Sequence, residues 1–108
     1  MMRTICIPID DQGGVEPRWG KAPKVAIAKV DGGQVQAWEE FSVGWDVLHG
    51  QNGEGQHHAR VAKFLMDHGV TEVAAQHMGH GMEHMLQSMH LELHLGVNGM
   101  AKTVVTQL

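Results

Sequence analysis

The chain is poor in cysteine, with Cys6 alone among 108 residues. A single thiol excludes an internal disulfide framework and any all-thiolate metal site. Basic charge is also scarce: 8 Lys and Arg stand against 12 Asp and Glu, a formal net charge of −4. A protein that tracks nucleic-acid phosphates needs a basic face, so this balance argues against that class. Long apolar runs are missing too. Every hydrophobic stretch stops well short of the roughly 20 residues that a membrane-spanning helix needs. No leader-type segment precedes the first strand-like run, so the expected location is cytoplasmic. What remains is 43% hydrophobic and 19% charged, enough to bury the core of one domain over residues 1–108 without staples. Two counts stand out, 9 histidines and 8 methionines, beside no tyrosine.

Residues 3–9 alternate Ile5, Ile7 and Ile9 with Thr4, Cys6 and Pro8, the period-two pattern of a strand. Pro8 lacks a ladder donor and is expected at the strand's end. Residues 10–14, from Asp10 to Gly14, are a turn cluster. Strand-like runs over residues 24–30 and 34–43 flank Asp31-Gly32-Gly33, a strong hairpin signal. Residues 44–55 carry four glycines and read as a long loop, mobile without ligand. A helix is predicted over residues 56–68 from the stripe Ala59, Ala62, Leu65 and Met66, with Gly69 as its stop. Residues 71–75 read as a strand and residues 82–89 as a helix with Met82, Met85, Leu86 and Met89 toward the core. Residues 91–95 form a last strand. Residues 100–107 are a final helix, weakened by the run from Thr103 to Thr106.

One hairpin-linked antiparallel set plus one right-handed βαβ unit predicts an α/β protein. Its mixed five-stranded sheet has spatial order 3-2-1-4-5, with helices on both faces. The carboxyl ends of strands one, four and five then meet at one edge, a topological switch point where such sheets bind ligands. Asp10, Gly13 and Gly14 belong to the first loop there, residues 76–81 to the second, and Asn98 and Gly99 to the third. Glycine-bearing loops and helix starts expose N–H groups to anions.

His77-x2-His80-x3-His84 lies at the second loop, and His80 and His84 share a helical face at i, i+4. Neutral imidazoles ligate metals, and Met78 adds a thioether suited to copper(I) or a thiometallate edge. Gly79 and Gly81 complete this loop, and Arg18 and Lys21 offset the charge of an anionic cargo. A second set, His49, His57 and His58, is placed to line the same crevice, with Trp19 as a wall. Cys6, between isoleucines, reads as an inert buried thiol. His90 and His94 read as an exposed sheet face, with His94 nearer the site. Two-metal phosphoryl chemistry needs converging carboxylates. Beyond Asp10 and Asp11 the proposed edge has none, which argues against a nuclease.

Several segments resemble the dinitrogenase iron–molybdenum cofactor biosynthesis family. They are ICIPIDDQGG, RWGKAP, KVDGG, GEGQHHARVAKFLMDHGVTEVAA, QHMGHGM and LGVNGMAKTV, covering nearly the whole chain. The resemblance implies a ribonuclease H-like fold and non-covalent binding or carriage of an iron–molybdenum or other metal–sulfur cluster, rather than catalysis. Cofactor-assembly proteins are the implied partners. Relatives commonly carry His-Phe-Gly where this chain has Arg18-Trp19-Gly20. Their Gly-Gly-Ile-Gly-Pro-Gly loop is Gln76-His77-Met78-Gly79-His80-Gly81 here, so side-chain donors replace part of a backbone cradle. The alternative is a small adaptor or regulatory domain whose histidines form a pH-sensitive surface.

Overall fold

The alternating first segment forms strand β1 (Arg3–Ile9) in the computed structural model, which describes residues 1–51 and 53–108. β2 (Lys24–Asp31) and β3 (Gln34–Ser42) follow as a hairpin. Its turn residues Gly32 and Gly33 have φ of 60° and 75°. Two successive positive φ values match the twist of the strands, and glycine adopts them without strain. β4 (Glu72–Ala75) and β5 (Glu92–Leu95) complete a mixed sheet in the order β3-β2-β1-β4-β5. β1 runs antiparallel to β2 and parallel to β4, and β4 parallel to β5. Pro8 sits inside the β1–β2 register opposite Val25, one residue short of the strand's end. The ladder to β4, formed at Ile5 and Cys6, stops before reaching it.

Helices cover both faces, as the alternation of apolar side chains demands. α1 (Trp45–Leu48), α2 (Glu54–Asp67) and α3 (His80–Ser88) lie on the face of Cys6, Val25 and Val73, where Val61, Leu65, Met82 and Leu86 are buried. α4 (Ala101–Val105) packs Ala101 and Val105 against Ile5, Ile7 and Ile9 on the other. Burying a Leu, Ile or Val side chain contributes about 1.5–3 kcal/mol each, so these two layers fix which edge of the sheet stays open. Among the described residues, no helix is long and apolar enough to cross a membrane.

Three expectations need correction. Residues 44–55 are not one open loop, because α1 folds within them and α2 starts at Glu54. The anchor is Trp45, 2% exposed, with its ring 5.2 Å from Trp19 and 5.8 Å from Phe64. The part of that expectation that falls on Asn52 lies outside the described residues. α3 begins at His80 rather than Met82, with Gly79 in extended backbone as its N-cap. His90 does not belong to the sheet: it has a φ of 62° in the turn after α3, and its N–H donates to Gln87 O.

Candidate cluster-binding pocket

β4 ends at Ala75, and the loop that follows turns across the carboxyl edge into α3. Its His77 pairs with Arg18 as an isolated bridge, and the Trp19 N–H donates to His77 O at 3.3 Å. That pairing lays the 3-10 turn Trp19–Lys21 along the loop. From the other side comes the first turn of α2. A β-carbon on Gly81 would stand 3.0 Å from His58 Cε1, so the closeness of α2 to α3 rests on the missing side chain. Between these three elements opens a cavity of about 450 Å³. Arg18, Trp19, Gly20 and Lys21 form one wall, and His49, Glu54, His57 and His58 a second. Residues 77–82 form the third.

The pocket favours negative charge although the chain is acidic. Two helices of 14 and 9 residues, α2 and α3, begin at its rim. Both have glycine at the N-cap, Gly53 and Gly79, and neither has a side-chain cap. The N–H groups of an uncapped first turn lack intrahelical partners and carry the positive end of the helix dipole. Among the described residues, none accepts from the N–H groups of His80, Gly81 and Met82. The indole N–H of Trp19, fully buried in the wall, likewise has no acceptor among the described residues. An unmet buried donor costs about 1–3 kcal/mol.

The histidines are not equivalent. Arg60 Nη1 lies 2.9 Å from His57 Nδ1 and can only donate, so Nδ1 accepts. Nε2–H therefore donates to Gly20 O at 2.7 Å. Both ring nitrogens are in use, and His57 pins the Trp19–Lys21 turn rather than offering a lone pair. Burial lowers its pKa below the ordinary 6.5, with Arg60 adding to the effect against the bond to Gly20. His77 and His80 are exposed at the mouth and His58 is half-buried, 3.6 Å from Glu54 Oε1. Met78 and Met82 put thioethers in the wall at 7% and 4% exposure. Cys6 is elsewhere, in the core, where burial drives its thiol far above the usual range and keeps it protonated.

The sequence matches the dinitrogenase iron–molybdenum cofactor family over residues 1–108. The chain belongs to this family. No curated protein matches it. Among solved structures it is similar to the apo form of the orange protein from Desulfovibrio gigas, with a TM-score of 0.75 at 19% identity over 99% of this chain and 86% of that one. A NifB-like protein from Thermotoga gives a TM-score of 0.72 at 18% identity, covering 96% and 84% of the two chains. A dinitrogenase-like protein from Methanocaldococcus jannaschii gives 0.65 at 12%, covering 99% and 90%. These likenesses carry the fold, and the family carries a function related to the nitrogenase cofactor.

Within this family fold, the pocket gathers Arg18, Lys21, His77, Met78, Gly79, His80 and Gly81 from the residues that the sequence singled out. The others fall outside its lining. Asp10, Gly13 and Gly14 close on themselves: the Asp10 carboxylate accepts from the N–H groups of Gln12 and Gly14 at 2.9 and 2.8 Å. Gly99 O accepts from Val15, and Gly13 O from Ala101, so this corner is knitted to α4. Asn98 stands with Gly99, and neither lines the pocket. His84 is exposed one turn along α3, beyond the rim. His94 points to the α4 face, where it meets Glu72. Gly20, Glu54 and Met82 are wall residues that no ligand motif in the sequence marks. A glycine on each side of Glu54 was the available signal for an open helix start.

Proposed function

We propose that this protein binds and carries an anionic metal–sulfur cluster, of the iron–molybdenum type or a related thiometallate, in the pocket between α2, α3 and the Trp19–Lys21 turn. The single observation behind this reading is the meeting of two uncapped helix starts with exposed imidazoles around one cavity. Cluster sulfurs accept weak hydrogen bonds from the open backbone N–H groups at the start of α3. Arg18 and Lys21 supply positive charge, and His77 and His80 supply directed donors. The cluster is cargo, held without covalent change. Glu54 is the one carboxylate among the described lining residues and no nucleophile stands beside it, which suits a carrier better than an enzyme. Delivery to or from cofactor-assembly proteins is the corresponding partnership, in the cytoplasm.

The test is anaerobic titration of the metal-free protein with tetrathiomolybdate, with copper(I) alone as a second cargo. Saturable uptake of the thiometallate that is lost in His77→Ala/His80→Ala and kept in His90→Ala supports the pocket. Equal uptake by parent and double variant overturns the histidine-centred part of the reading. No uptake of either cargo favours the adaptor alternative.

A further inference from the structure

On the α4 face, away from the pocket, a second group of metal-ligating side chains stands at the amino-terminal ends of β4 and β5. Glu72 and Glu92 are direct partners in the parallel register, and His94 follows on the same face opposite Ala74. One ligand atom from each lies within 4.8 Å of the others. His94 Nε2 is 2.8 Å from Glu72 Oε1 and 3.7 Å from Glu92 Oε2. We infer that these three residues form a site for a divalent first-row transition-metal ion, separate from the cluster pocket and independent of its function.

Two carboxylates directly opposite each other on one sheet face repel, so the pair needs a cation beside it. Arg3 hydrogen-bonds Glu72, donating from Nε to Oε2 and from Nη2 to Oε1 at 2.7 Å each, and reaches Glu92 only through the weaker attraction of its charge. This fork, with the His94 bond, favours the ionised carboxylate of Glu72. An oxygen that accepts from Arg3 still has a second lone pair, and His94 meets Oε1 there. Nε2 of His94 has at most one proton to give. Donated to Glu72, it leaves Glu92 with only the 3.7 Å approach.

A metal ion in place of that proton bonds all three side chains at once. It takes the Nε2 lone pair and one oxygen from each carboxylate, and the ring proton resides on Nδ1. Ligand atoms about 3 Å apart suit metal bonds of about 2.0–2.2 Å, so small rotations of Glu92, whose side chain is 65% exposed, close the site. Arg3 then serves as the outer partner that orients a ligating carboxylate, the arrangement that metal sites use to fix their ligands. One imidazole and two carboxylates suit manganese(II), cobalt(II) or zinc rather than a soft sulfide cluster. The two faces of the sheet thus differ in the cargo chemistry they accept.

Manganese(II) added below stoichiometry to isotope-labelled protein tests the site through paramagnetic broadening of backbone amides. The signals of Glu72, Val73, Glu92 and Leu93 are expected to broaden. In His94→Gln, which keeps a donor toward Glu72, and in Glu92→Gln at an exposed position, the same broadening needs about tenfold or more manganese. His77→Ala/His80→Ala leaves it unchanged. No broadening of those four amides at millimolar manganese overturns the inference. So does broadening that survives unchanged in both Gln variants, or that disappears with the pocket histidines.

Discussion

Two glycine-bearing loops leave the same edge of the sheet and use their backbones in opposite ways. After β1, residues 10–14 turn inward: Asp10 collects the N–H groups of Gln12 and Gly14, and Asp10 O that of Gly13. After β4, residues 76–81 have no carboxylate or hydroxyl to do the same, and α3 starts uncapped. Glycine therefore marks tight closure in one loop and open donors in the other. The deciding difference is a local acceptor. An Asp at the head of a turn satisfies the donors that a ligand would otherwise meet.

The largest effect that separates the two loops is on cargo. His77→Ala/His80→Ala is expected to weaken tetrathiomolybdate binding about 100-fold, roughly 3 kcal/mol, while leaving the thermal midpoint in place because both side chains are exposed. Asp10→Ala is expected to do the reverse. It strands two backbone donors and costs about 1–2 kcal/mol in urea unfolding, with cargo affinity unchanged. A matching loss of affinity in Asp10→Ala would show that residues 10–14 belong to the binding edge after all.

This contrast also explains what the sequence made legible. The sheet order followed from patterns with a backbone cause: the alternation of Ile5, Ile7 and Ile9, the Gly32-Gly33 turn, and the helix stripe ending at Gly69. The position of residues 77–81 at the carboxyl edge followed from that order. Which edge loops stay open did not, because it depends on where each N–H finds its acceptor in three dimensions. Asp10 and Gly14 are four residues apart, and their bond becomes visible only once the chain has turned. His57 and His58 are neighbours in sequence with different roles, set by Gly20 and Arg60 packing against only one of them. The sequence places His94 near the carboxyl edge, but it meets Glu72 of the neighbouring strand on the sheet face away from the pocket.

A smaller effect tests the closeness of α2 and α3. In Gly81→Ala the new methyl meets His58 Cε1 at 3.0 Å and displaces that ring into the pocket. Alanine gains about 1 kcal/mol of helix propensity over glycine, which offsets the displacement, so stability stays level. Cargo affinity is expected to fall about threefold to tenfold, up to 1.4 kcal/mol, in the same titration. Unchanged affinity would place the cargo farther from α2, against His77 and His80 alone.

The smallest effect is a pH dependence confined to the pocket side. His57 is neutral in the fold, with its pKa lowered chiefly by burial, so the native state binds its proton less readily than the unfolded chain does. Its contribution is therefore present above the ordinary value of 6.5 and is lost as pH falls through 6.5 toward the lower folded value. Protonation at Nδ1 takes away the acceptor of Arg60 and sets two cations side by side, while the bond from Nε2 to Gly20 holds, so a shift of the ring carries the Trp19–Lys21 wall with it. Melting curves between about pH 7.5 and 5.5 are expected to show a steeper loss of stability in the parent than in His57→Gln, whose amide still donates to Gly20. Over that range the indole N–H resonance of Trp19 should move in the parent, while the amides of Gly13 and Gly14, bonded to Asp10, should not. Parallel melting profiles in parent and variant would show that His57 does not couple protons to this wall. A Gly14 amide that moved with Trp19 would mean that the two loops respond as one unit.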